Sequence, residues 1–147
     1  MNPYKLNINL PDYIMKIQEI LSEGLQRDKA EDILSAFIKF AKKELKLESL
    51  PKINLQKDNA HSVEYRSFGG YGGKNINLTI KNRHIMDCCR TLAHELVHYR
   101  QDLNNELDAD SGKDGSPHEN EANAQAAVVM RKWGKLHPEL FGYQPVE

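Results

Sequence analysis

His94 and His98 stand four residues apart in the run Thr91-Leu92-Ala93-His94-Glu95-Leu96-Val97-His98, and no other feature of the chain constrains its fold as strongly. In an α-helix, positions i and i+4 share a face and lie about 6 Å apart along the axis. Leu92, Ala93, Leu96 and Val97 are apolar or small, so one side of such a helix packs on a core while both imidazoles open into a cleft. The expected helix spans roughly residues 83–103.

Two imidazoles on one helical face, with a carboxylate beside the first, make up the HExxH pattern of zinc-dependent hydrolases. His94 and His98 are candidate metal ligands. Glu95 is the candidate general base, placed to take a proton from a water whose pKa the ion lowers from 15.7 toward roughly 7. A catalytic zinc takes a third protein ligand and leaves the fourth position to water. The continuation HExxHxxGxxH would supply that ligand from the same helix, but Gln101 occupies its glycine position and Asn104 its last ligand position. A glutamate from a second, downstream helix is the remaining option.

Ser116-Pro117-His118-Glu119-Asn120-Glu121-Ala122-Asn123-Ala124 begins such a helix, with Ser116 as N-cap, Pro117 at the first helical position and Glu119 completing a capping box. This gives Glu119 a structural task, reaching back to the Ser116 backbone, and leaves Glu121 as the expected third ligand. His118 and Gln125 lie three and four residues from Glu121 on the same face. One is a candidate oxyanion stabiliser and the other a candidate hydrogen-bond partner for a ligand imidazole. The plainer alternative for His118 is a surface histidine at a helix start.

These segments resemble the minimal gluzincin-like metallopeptidases of the ImmA/IrrE type, often encoded on phages and mobile elements. Leu92-Ala93-His94-Glu95-Leu96-Val97-His98 is similar to the AHELxH helix of that family, and Glu119-Asn120-Glu121-Ala122-Asn123-Ala124-Gln125-Ala126 to its ExEANxFA helix. Gly70-Tyr71 followed by Ile76-Asn77-Leu78 resembles the turn and edge strand ahead of the active-site helix. The resemblance covers about the last half of the chain. It implies zinc held by His94, His98 and Glu121, with Glu95 as base. Gln125 stands where the family has Phe, the linker between the helices is long and acidic, and no appended DNA-binding or sensor domain is evident. The family's action on repressor proteins does not transfer on two motifs.

Upstream, Ile14, Ile17, Leu21 and Leu25 mark an amphipathic helix over residues 11–25, with Gly24 near its end. A second helix starts at an Asp28/Glu31 capping box and buries Ile33, Phe37, Phe40, Ala41 and Leu45, running to about Leu47. After Pro51, period-two runs at 53–55, 63–65 and 76–80 predict a sheet of about three strands. The glycine-rich run 68–73 between the last two reads as a mobile turn. Strand 76–80 is the candidate edge for an extended peptide substrate. Tyr71 and Tyr65 are candidate oxyanion donors, or plain packed aromatics; His61 and His84 carry less signal.

Residues 103–115 form a polar, acidic loop by composition, and it is a candidate gate for the cleft. Its acids approach an EF-hand register, but Lys113 stands where that loop needs glycine, which favours a solvated loop over a calcium site. Gly134 and Pro138 are expected to end the last helix, with a tail beyond Leu140 that packs by Phe141 or Tyr143 or frays. Cys88 and Cys89 are adjacent, unsuited to a disulfide inside a helix, and read as packed, reduced thiols.

With 147 residues and a formal net charge of -1, the chain reads as one domain, 1–147, without the basic footprint that nucleic acid demands. It lacks an apolar leader or a membrane-length stretch, so a cytoplasmic protein with no membrane or nucleic-acid partner is expected. The expected architecture is α+β and zincin-like, with N-terminal helices, a small sheet, the HExxH helix and a C-terminal helix bearing the Glu ligand. The expected function is zinc-dependent hydrolysis of a peptide bond in a protein or peptide substrate, with Glu95, His118 and Tyr71 as catalytic candidates. The alternative is a metal-stabilised, non-catalytic interaction or structural protein. Glu95 argues against it, because a closed structural site has no use for a base.

Overall fold

The computed structural model describes residues 26–56, 69–72 and 74–143. The helix expected over 11–25, the strand expected at 63–65, and His61 and Tyr65 lie outside the described residues.

Helix α1 (Gln26–Glu44) forms because Ala30, Leu34, Phe37 and Ala41 recur at three- and four-residue intervals, and all four are buried. It already runs at Gln26, so Asp28 sits inside the helix and not at its cap. It ends in a Schellman motif. The Leu47 amide donates to the Lys42 carbonyl at 2.9 Å and the Lys46 amide to the Lys43 carbonyl at 3.2 Å, with Lys46 at φ 56° where glycine is usual.

Strands β1 (Lys52–Gln56), β2 (Gly69–Gly72) and β3 (Asn75–Thr79) build one sheet in the order β1-β3-β2. β1 runs parallel to β3 and β2 antiparallel to it. Across β1 and β3, Asn54 Nδ2 donates to Asn77 Oδ1 at 3.0 Å, between residues directly in register. Two expectations are corrected here. The glycine run read as a mobile turn contributes a strand, in which Tyr71 pairs with Ile76. β3, read as the substrate-binding edge, is the central strand; β1 and β2 occupy both of its hydrogen-bonding sides, and Ile76 and Leu78 are fully buried.

Asn82, at φ 58°, turns the chain from β3 into helix α2 (Ile85–Leu103). The N-cap is His84, whose Nδ1 accepts from the Met86 amide at 3.1 Å. With Nδ1 accepting, Nε2 carries the proton and donates to the Phe141 carbonyl at 3.0 Å. Buried Arg83 donates to the Thr79 carbonyl, to Asp87 Oδ2 and to Thr91 Oγ1, joining the end of β3 to the first turns of α2. Buried residues surround most of α2, which packs on α1, on the later helix α3 (Pro117–Leu136), and on β2 and β3. A second Schellman motif ends it: the Glu106 amide donates to the Gln101 carbonyl at 2.9 Å, with Asn105 at φ 56°.

Helix α3 (Pro117–Leu136) starts as the sequence predicts, with the Glu119 amide donating to the Ser116 hydroxyl at 3.1 Å. Gly134 does not end it. A Cβ there would lie 3.0 Å from the Phe141 ring, so the glycine permits close approach of the short 3₁₀ helix Pro138–Gly142, and α3 stops ahead of Pro138. Trp133 packs edge-on against Phe37, with ring centroids 5.2 Å apart, and joins α3 to α1. In the C-terminal segment Leu140 is the buried anchor, while Phe141 is 62% exposed. The described architecture is α+β, and none of its helices is long and apolar enough to cross a membrane.

Candidate metal centre

α2 places His94 and His98 one turn apart, with ring centroids 4.7 Å apart and planes at 82°. Their Nε2 atoms are 3.1 Å from each other. Glu119 completes a triangle, with Oε1 3.1 Å from His94 Nε2 and Oε2 2.9 Å from His98 Nε2. Donors bound tetrahedrally at zinc distances are about 3.3 Å apart, and each of these three contacts is near that spacing. The donor chemistry agrees, since two imidazole nitrogens and the Glu119 carboxylate lie close enough to share one ion. His94, His98 and Glu119 could hold a metal ion.

Glu121, the expected third ligand, does not join this group. Successive helical residues turn by about 100°, so carboxylates two positions apart leave α3 on widely separated sides. Glu121 Oε1 instead accepts from Gln101 Nε2 at 2.9 Å and lies 3.8 Å from Arg100 Nη2. The reason Glu119 is available is local. The Ser116 amide, which a capping-box glutamate would satisfy, already donates to the Lys113 carbonyl at 3.0 Å. The Glu119 amide serves the cap while its carboxylate turns to the histidines.

Glu95 is buried and lines the same cavity of about 330 Å³, whose other walls are Leu107, Asp108, Ser111 and Gly112 from the interhelical loop. Burial pushes the Glu95 carboxyl up to about 7; the His98 imidazole opposes the shift and the Glu119 charge adds to it. Desolvation also lowers the His94 pKa, against the pull of the Glu119 carboxylate. The His94 shift favours the neutral imidazole that metal binding needs, while a Glu95 carboxyl near neutrality can both take up and release a proton.

The acidic loop is locally tied. Asp108 Oδ1 accepts from the Asp110 amide at 2.8 Å, and Ser111 Oγ lies 2.7 Å from His118 Nδ1. The Asp110 amide is the main reason that the Asp108 carboxyl is held below its usual range. His118, expected near the oxyanion, is absent from the described cavity wall and braces the loop through Ser111. Tyr71 lies on β2 by its backbone, and its side chain is outside the description. Gln125 is half-buried, and the bond to a ligand imidazole foreseen for it comes from Gln101. Gln101 Oε1 lies 2.8 Å from His98 Nδ1. The available signal was its i+3 spacing from His98, which puts both on one face of α2. Cys88 and Cys89 are buried in the core; burial raises both thiols, Cys88 to about 11 with Arg83 opposing.

A larger cavity, about 710 Å³, lies between the start of α2 and the end of α3, against Arg90, Met130 and Phe141, and includes none of the three donors. No protein-family model matches the chain, and no match to a curated protein or solved structure was found.

Proposed function

We propose that this chain is a zinc metallopeptidase that hydrolyses a peptide bond in a protein or peptide substrate. The observation that carries the reading is the donor triangle of His94, His98 and Glu119 with Glu95 on the wall of the same cavity. Two histidines and a glutamate are a known catalytic zinc set, which leaves a position for water or substrate. Bound there, zinc would supply a Lewis acid that acidifies water and polarises a carbonyl.

Glu95 takes a proton from the attacking water and delivers it to the leaving amine. A base with a pKa near neutrality suits both halves of that exchange. Gln101 orients His98, and Leu107, Asp108, Ser111 and Gly112 of the interhelical loop wall the cavity. An extended substrate would add along the outer side of β2, the sheet edge beside α2. The HExxH helix packed against a small mixed sheet, facing a Glu-bearing helix, supports a zincin-like fold and the ImmA/IrrE-type resemblance. The donor is the first Glu of the ExEA segment, Glu119, where the resemblance implied the second, Glu121.

The test is zinc content in protein purified without added metal or chelator, beside peptide hydrolysis by wild type and Glu95→Gln. One zinc per chain, with turnover lost and zinc retained in Glu95→Gln, is the expected result. A zinc-free wild type, or a variant that cleaves at the wild-type rate, would overturn it.

A further inference from the structure

The described residues place one fully buried amide between the candidate metal centre and the helix facing it. Gln101 has no solvent exposure, and a buried side-chain amide is costly unless its donors and acceptor are satisfied. Its Nε2 donates to the His118 carbonyl at 3.0 Å and to Glu121 Oε1 at 2.9 Å, and its Oε1 faces His98 Nδ1 at 2.8 Å.

The direction of that amide follows from its partners. A carbonyl and a carboxylate only accept, so the group between them is the NH2, and a flipped amide would set its oxygen against two acceptors. Oε1 therefore faces His98, and a contact of that length needs a proton on Nδ1. With Nδ1 committed to Gln101, Nε2 is the ring atom that faces His94 Nε2 and Glu119 Oε2 and that a metal ion would take. The chain of contacts continues outward. Glu121 lies 3.8 Å from Arg100 Nη2, while Arg100 Nη1 donates to the Leu45 carbonyl at the end of α1.

We propose that Gln101 and Glu121 form a positioning pair that fixes His98 as an Nε2 donor. α3 thereby governs the centre twice, directly through the Glu119 carboxylate and indirectly through Glu121 and the Gln101 amide. The carboxylate polarises the amide, which makes Oε1 a stronger acceptor and holds the His98 ring more firmly in place. The inference rests on the metal-centre reading above.

The experiment has two readouts on wild type, Gln101→Met, Glu121→Ala and Glu121→Gln: zinc affinity by competition with a chelator, and the His98 tautomer by nitrogen NMR of the metal-free protein. Wild type is expected to carry a proton on Nδ1. Gln101→Met should mix the tautomers and weaken zinc binding about 10- to 100-fold. Glu121→Ala should weaken it less, and Glu121→Gln, which keeps an amide oxygen for Gln101, should recover most of the loss. Folded Gln101→Met with wild-type zinc affinity and tautomer overturns the pair. If Gln101→Met does not fold, the exposed-site Glu121 variants decide, and Glu121→Ala indistinguishable from wild type overturns it. A wild type that binds no zinc instead overturns the metal reading. The Nδ1 proton then still judges the pair, and a His98 with a bare Nδ1 would sink it.

Discussion

Glu119 Oε2 lies 2.9 Å from His98 Nε2, on a different helix and 21 positions further along the chain. The candidate metal centre thus depends on how α2 and α3 pack, and Glu119 and Glu121 of α3 have separable partners.

Replacing Glu119 with Ala should remove the third donor and reduce bound zinc from about one per chain to a small fraction of that. Glu121→Ala should still carry zinc after purification, though more weakly held. Metal analysis of the two variants side by side checks this, and equal loss in both would contradict the assignment.

Glu95→Gln should lower hydrolysis by on the order of 10²- to 10⁴-fold while leaving zinc in place. The same variant reports on burial. In the metal-free protein Glu95 rises to about 7 from its ordinary 4.5, so the folded state holds a proton that the unfolded chain has released between those values. Wild-type stability therefore falls as pH rises through that window. At pH 8 metal-free Glu95→Gln should exceed wild type by on the order of 2–3 kcal/mol, an advantage that fades toward pH 4.5. Urea unfolding at the two pH values measures it.

Gly134→Ala should stabilise the protein by about 0.5 kcal/mol, because alanine is favoured inside a helix. The new Cβ would meet the Phe141 ring at 3.0 Å, but that ring is 62% exposed and can swing aside. Thermal unfolding tests the sign; a clear loss of stability would mean that the ring is fixed.

Cys88 and Cys89 should resist a thiol reagent at pH 8 while the protein is folded, since burial raises both thiols. Modification should accelerate on the order of 100-fold on unfolding. Fast native labelling would show that this part of α2 opens.

The sequence made α2 legible because His94, His98 and the apolar Leu92, Leu96 and Val97 obey a helical period whatever surrounds them. The start of α3 was legible from Ser116 and Pro117 for the same local reason. The destination of the Glu119 carboxylate was not, because it turns on whether another group satisfies the Ser116 amide, and Lys113 does so from the preceding loop. Gln101 was hidden likewise, since its partners His118 and Glu121 come from the other helix. The central position of β3 was equally non-local. Its alternation predicts a strand but not its neighbours, and β2 is drawn from glycines with no apolar pattern to betray it.

A candidate ligand in the first turn of α3 would also make coordination and helix initiation one equilibrium. Helix ends fray, and each opening of residues 117–120 withdraws Glu119 from the histidines. A bound cation acts against that opening from outside the helix, as a second cap beside Ser116. Metal affinity is then set by how long the turn stays wound as well as by the donors themselves. Amide exchange in this turn should slow when the ion binds.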